Sequence, residues 1–364
     1  MRASLHVANL HYRDGLVLHT ASSGSVPHLE ELYLYLQDRE RSAIGEVRTN
    51  IAYFNGLAAE TVVAAALAAV QAVDWSRHPD ELLSFLPQWS KGWIAPVCML
   101  IDGALQDLAA RTAGVPLTVW LGGEISERPN WPTNQTLFWS SHESFLAQAE
   151  AYIGRGFRDL KVRVGVADIF EDVRRIAALR ERFGGSVTIA ADANGQWSDD
   201  LARANLRELA KFDLAYVEQP VAAGDWELIA RIAAASPIPV MLDESIASEA
   251  DVERVCGFGG SVRAHLKLVK LGGIGRVREA ARKLAAAGVP FMIGQMNEGS
   301  AATAAALHCA CATRPAFAEL YGADGLADDP VHGVSYRGGA VETDAVPGLG
   351  VSFDPTRTRL IWEN

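Results

Sequence analysis

The chain has 364 residues, 49% of them apolar and 21% charged, which is the composition of a globular protein with enough apolar side chain for a large core. That length is too great for one simple sandwich and suits a barrel of ~250 residues plus roughly 100 more. A formal net charge of −11, with no Lys/Arg-rich stretch, repels phosphate backbones and argues against nucleic acid as a partner.

No stretch approaches the ~18 continuous apolar residues of a membrane span, so no membrane partner is expected. The N-terminus, MRASLHVANLHYRDG, lacks the long apolar core of a signal peptide. Cys98, Cys256, Cys309 and Cys311 form neither a CxxC pair nor a zinc spacing. They read as free thiols of a reducing compartment, which predicts a cytoplasmic location.

In chain order, residues 1–55 read as strands and turns: LHVANL, GLVLHTAS and the segment around GEVRTNIAYF, with SSGSVP as a loop. ETVVAAALAAVQAV and the stretch Ala95–Gly114 follow with helical apolar spacing, and Gly114 with Pro116 ends the second helix. Residues 1–128 are therefore predicted to form an α+β unit. From Pro129 the texture changes to short apolar strands ending near Leu137, Arg163, Asp192, Glu218, Asp243, Lys267, Gln295 and Glu319. Helical stretches such as FEDVRRIAALRERFG and GRVREAARKLAAAG lie between them. Strict β-α alternation with nearly all-apolar strands predicts a (β/α)8 barrel of the TIM type over 129–335, an α/β fold. Gly272-Gly273-Ile274-Gly275 has the wrong spacing for a dinucleotide fingerprint. Residues 336–364 carry strand-like fragments and are predicted to return to the N-terminal unit and complete it as a capping domain.

Active sites of such barrels lie at the C-terminal ends of the strands. Strand three ends on Asp192 and Asn194, strand four on Glu218, and strand five on Asp243 and Glu244. Three successive strands thus deliver three carboxylates to one rim, where a hard divalent cation finds its oxygen ligands. Without a cation the three would repel and their pKa values would rise. A lone Asp at a strand end is ordinarily a cap or turn residue; the joint register is what points to a site. Strand two presents Lys161 and Arg163 on one face, two residues apart, and strand six presents Lys267. These cations are either partners of the acids or catalytic groups. Beside a metal, burial and the cation's charge lower a lysine pKa toward neutrality and make it a usable base. Removing a proton α to a carboxylate requires the resulting enediolate to be stabilised, and a metal with lysine and arginine charges does so.

The succession LKVRVG, AADAN, YVEQP, LDES, HLKLVKLGG and IGQMNEG resembles the muconate-lactonizing-enzyme branch of the enolase superfamily over nearly the whole chain. The segment IDGALQDLAARTAGVPLTVWLGG is similar to the helix and loop that join cap to barrel there. The resemblance implies Asp192, Glu218 and Asp243 as ligands of Mg²⁺, with Mn²⁺ able to substitute, and Lys267 as the base on one face of a small carboxylate substrate. It implies that the loop Ser22–Pro27 and residues near Tyr53-Phe54-Asn55 close over the substrate, that Gln295 and Glu298 line the pocket, and that the protein is a homo-oligomer. It departs from the family at Arg163, where a second lysine usually supplies the other base. Arginine is a clamp and a poor base. Lys267 would then act alone, with Lys161 and Arg163 stabilising the enediolate. That favours a dehydratase, then a cycloisomerase, over an epimerase or racemase; a metal-binding barrel without catalysis is the reading from another class. Asn194, Glu244, Gln295, Asn297 and Glu298 would meet substrate hydroxyls or an amine. Glu298 suits an ammonium group, or else caps the helix beginning at Gly299-Ser300.

Overall fold

A computed structural model describes residues 1–13, 18–20 and 24–364. The cap is an antiparallel sheet in the order Arg359–Glu363, Arg2–Leu10, Leu29–Asp38, Arg41–Arg48. The last strand of the chain thus pairs with the first, Ser4 opposite Glu363 and Val7 opposite Arg359. Of the loop expected at Ser22–Pro27, residues 22 and 23 lie outside the described residues. The helix Ala95–Ala113 packs against strand Arg41–Arg48, carries Pro96 in its first turn and ends on Gly114 in the left-handed region (φ 71°). Its approach to the sheet is close enough that a Cβ on Gly45 would lie 2.0 Å from the Leu100 carbonyl oxygen. Asp107 of the same helix is fully buried. It accepts from the amides of Ile44 (3.0 Å) and Leu349 (2.8 Å), and so ties the cap sheet to the C-terminal segment. A further cap helix, Pro79–Trp89, was not foreseen; its internal Pro87 weakens the helical signal, while Pro79 and Asp80-Glu81 in the first turn supply the start.

Eight parallel strands follow in sequential order: Gln135–Leu137, Asp159–Arg163, Thr188–Asp192, Val217–Glu218, Val240–Leu242, Val262–Lys267, Phe291–Gly294 and Phe317–Glu319. We call them barrel strands one to eight. The Asn134 amide donates to Ala318 (3.0 Å) and draws strand one against strand eight. Each of the first seven strands is followed by a helix, which starts on a side-chain cap in five cases, Ser141, Asp168, Ser198, Asp225 and Ser248. The register sets Arg163 opposite Asp192, Asp192 opposite Glu218, and Lys267 opposite Gly294, which faces Glu319. Arg163, Asp192 and Glu218 therefore lie level on strands two to four, and Lys267 and Glu319 on strands six and eight.

No helix among the described residues is long and apolar enough to cross a membrane, and all four cysteines are free.

Gly45→Ala is expected to destabilise the cap by about 1–3 kcal/mol, because backbone must move to admit a methyl group. Thermal unfolding followed by circular dichroism reads this directly; an unchanged midpoint would contradict the close packing.

Candidate active site

The three acids expected at the rim are all buried: Asp192, Glu218 and Asp243 are 1%, 0% and 2% exposed. Such burial is tolerable only if the charges are paired, and each has cationic partners. The Lys161 ammonium lies 3.3 Å from Asp192 Oδ2, 3.3 Å from Glu218 Oε1 and in contact with Glu319. Arg163 donates to Asp192 and to Asn194 Oδ1 (2.8 Å). Asp243 accepts from Lys267 through Oδ2 (2.7 Å) and from Lys270 through Oδ1 (2.6 Å). Lys270 also donates to the carbonyls of Asp243 (2.6 Å) and His265 (2.9 Å), fixing the turn after strand five against strand six.

This pairing corrects the expectation that all three carboxylates rise in pKa. Burial alone raises each, yet Arg163 and Lys161 outweigh it at Asp192, and Lys267 and Lys270 outweigh it at Asp243. Both are held below the usual carboxylate range. Only Glu218, pressed by burial and by Asp192, Glu319 and Asp243, stands well above it. Burial pulls Lys267 down, but Asp243 and then Glu319 hold it above the ordinary lysine value in this arrangement. Arg163 is likewise held as a cation by Asp192 against the opposing effect of burial.

Local sequence explains the positions. Gln219, next to Glu218, is buried with φ 38°, and its Oε1 accepts from the amides of Asp243 (3.1 Å) and Ser245 (3.2 Å). The Glu-Gln-Pro turn thereby clamps the end of strand five to the end of strand four. Asn194 has φ 46°, a conformation Asn tolerates. Its amide donates to Asp192 Oδ1 (2.9 Å) and its Nδ2 to Glu244 Oε1 (3.1 Å).

Of the residues expected to face substrate, Asn194 and Glu244 thus join the acid–arginine cluster directly. Burial, then Asp243 and Asp192, push Glu244 up to about 7. Gln295 is buried, with Nε2 donating to Thr303 (2.9 Å) and Oε1 without a partner among the described residues. Asn297 is half-buried and donates to the Tyr12 hydroxyl (2.8 Å). Glu298 does not cap the helix Ser300–Thr313: Asp329 accepts from the Ser300 amide (2.8 Å) and Glu46 from the Ala302 amide (2.7 Å). Instead, Glu298 Oε2 accepts from the Met296 amide (3.2 Å), and its Oε1 has no partner among the described residues. From the cap, the Phe54 ring centre lies 5.2 Å from Lys267 Nζ, while Tyr53 is half-buried against the main core.

Two members of the cluster were missed. Glu319 ends strand eight, contacts Lys161, accepts from Asn134 Nδ2 (3.1 Å), and is held down at about 2 by Lys161 against its burial. His265, fully buried on strand six, places Nδ1 3.1 Å from Glu218 Oε1. Glu218, Asp243 and His265 each bring a ligand atom within 4.8 Å of the others, a grouping able to hold a metal ion.

Residues 144–357 match the family described as enolase C-terminal domain-like. The chain belongs to the enolase superfamily, in its mandelate-racemase and muconate-lactonizing branch. It is 32% identical over 255 residues to the L-Ala-D/L-Glu epimerase of Bacillus subtilis (strain 168), covering 69% of each chain. It is 31% identical to the chloromuconate cycloisomerase of Pseudomonas putida, covering 71% of this chain and 70% of that one. The dipeptide epimerase of Cytophaga hutchinsonii, solved with Mg and the dipeptide D-Ala-L-Val, superposes with a TM-score of 0.88 at 24% identity, over 99% of this chain and 98% of that one. The fold expected from the sequence, barrel and cap together, is therefore the fold of this superfamily, and the chain is an enzyme of it.

Burial pushes Glu298 up to about 7, against Arg48, the Met296 amide and Lys267. Folded, it keeps its proton to about pH 7; unfolded, it loses it near 4.3. The native state then binds more protons between those values, so stability falls as pH rises through that window. Glu298→Gln is expected to remove about 4 kcal/mol of that fall, read from urea unfolding at several pH values in chelator. An identical pH slope in both proteins would contradict the assignment.

Proposed function

We propose that this enzyme performs single-base proton abstraction α to a carboxylate, of the cycloisomerase or dehydratase kind, with Lys267 as the base. The observation that carries this reading is Arg163. It occupies the position where a second base would stand, and it is pinned as a cation between Asp192 and Asn194. An arginine so held stabilises negative charge and does not accept a proton.

The donor chemistry of the rim suits a hard divalent cation. Asp192, Glu218 and Asp243 are buried carboxylates on adjacent strands that now take ammonium and guanidinium groups as counter-ions. They would hold Mg²⁺, the ion that the Cytophaga hutchinsonii epimerase carries with its dipeptide. Such an ion supplies charge stabilisation for a carboxylate whose α-carbon loses a proton. The chain's own residues do the rest. With Asp243 engaged, Lys267 is left to burial, which favours the neutral amine. Its Nζ takes the proton from one face, and the Phe54 ring above it restricts water and favours the ammonium that forms. The electron pair moves into the Cα–Cβ bond and a β-oxygen leaves, as a carboxylate of the same molecule in cycloisomerisation or, in dehydration, as hydroxide that takes the proton from the Lys267 ammonium and becomes water. Arg163 and Lys161 offset the charge that develops. The unpartnered oxygens of Gln295 and Glu298 would accept from substrate hydroxyl or ammonium groups.

The cycloisomerases among the relatives put cycloisomerisation ahead of the dehydration that the sequence alone favoured. Mass spectrometry of a carboxylate library incubated with enzyme and Mg²⁺ in D₂O separates them. Isomerisation incorporates deuterium at the parent composition, and dehydration loses 18 mass units. Lys267→Ala is expected to reduce α-proton exchange by at least about 100-fold. Asp243→Asn is expected to weaken Mg²⁺ binding by at least about tenfold in calorimetry, with activity lost in step. Exchange at the normal rate in Lys267→Ala would place the base elsewhere, and unchanged Mg²⁺ affinity in Asp243→Asn would remove that residue from the ligands.

A further inference from the structure

We infer that His265 is a ligand of the divalent cation in this chain, so that the site is a mixed nitrogen–oxygen site and favours transition ions such as Co²⁺ and Mn²⁺ over Mg²⁺. The inference rests on the metal reading above and goes beyond its three carboxylates.

His265 lies two residues before Lys267 on strand six, so both side chains point into the barrel, the imidazole one layer deeper. Its Nδ1 faces the acids, 3.1 Å from Glu218 Oε1 and 3.8 Å from Asp243 Oδ1. Among the described residues this is the grouping of three potential ligand atoms that converges within 4.8 Å. The other ring nitrogen, Nε2, is buried without a partner among the described residues. The neighbouring strand makes room for the ring: a Cβ on Gly294 would lie 1.9 Å from His265 Nε2, so the glycine there is required for the imidazole to stand where it does.

An oxygen-only site suits Mg²⁺, whereas imidazole suits later first-row ions, whose affinity for nitrogen rises from Mn²⁺ to Co²⁺ and beyond. One imidazole beside three carboxylates therefore tilts selectivity without abolishing Mg²⁺ binding.

The test measures Co²⁺ and Mg²⁺ dissociation constants by calorimetry on the metal-stripped full chain and on His265→Asn and His265→Gln. Loss of the imidazole is expected to weaken Co²⁺ by at least about tenfold and Mg²⁺ by less than about threefold. Equal factors for the two ions would overturn the inference and leave the carboxylate site standing. No binding of either ion to the unmodified chain would overturn both. A readout independent of any variant is pulsed electron paramagnetic resonance of the Mn²⁺-loaded protein. Directly coupled imidazole ¹⁴N supports ligation, and its absence with Mn²⁺ bound refutes it.

Discussion

The site depends on burying opposite charges side by side at the ends of the barrel strands. Lys161 stands among Asp192, Glu218 and Glu319, and Asp243 stands between Lys267 and Lys270. Charges removed from water are tolerated only in such company, and stripping one partner from a buried pair costs about 3–5 kcal/mol. Much of the surrounding structure holds these groups level. The register of strands two to four sets Arg163, Asp192 and Glu218 in a row. Gln219 clamps strand five to strand four. Asn134 ties Glu319 on strand eight to the start of strand one. The cap is held by the chain's own last strand and carries Phe54 over Lys267.

On the proposed single-base reading, the same network divides the work between two walls of the barrel. On strand two, Arg163 is locked into a carboxylate and an amide oxygen and is fixed as a cation. On strand six, Lys267 is held mainly by Asp243, and its state follows whatever Asp243 is doing. A residue whose charge is conditional can exchange protons, and one whose charge is fixed can only stabilise. This asymmetry sets the chain apart from the two-base pattern to which its sequence is otherwise similar.

Much of this was legible before the structure. The strand ends at Leu137, Arg163, Asp192, Glu218, Lys267 and Glu319 stand where apolar runs meet polar residues, because a strand buried on both faces leaves that one signal. The expected rise in pKa failed at Asp192 and Asp243, though not at Glu218, because pairing depends on side chains that meet across strands. His265 was missed because an inward histidine inside an apolar strand reads as core, and only the convergence of its Nδ1 with Glu218 and Asp243 marks it. Glu319 was read as a strand end and no more; its contact with Lys161 appears only when strand eight comes round beside strand one. In the short cap helix Ala52–Asn55 the sequence offered Tyr53 and Phe54 alike, and the helix orientation selects Phe54 as the ring over Lys267.

The central claim is that one base, on one face of the substrate, moves the α-proton. The measurement that tests it most directly is the stereochemistry of α-deuterium incorporation, followed by NMR on a turned-over carboxylate in D₂O. The account predicts deuterium at the α-carbon with configuration retained and no opposite enantiomer. Inverted, deuterated substrate accumulating at the exchange rate would contradict it, and would require a second proton donor on the Arg163 side of the barrel.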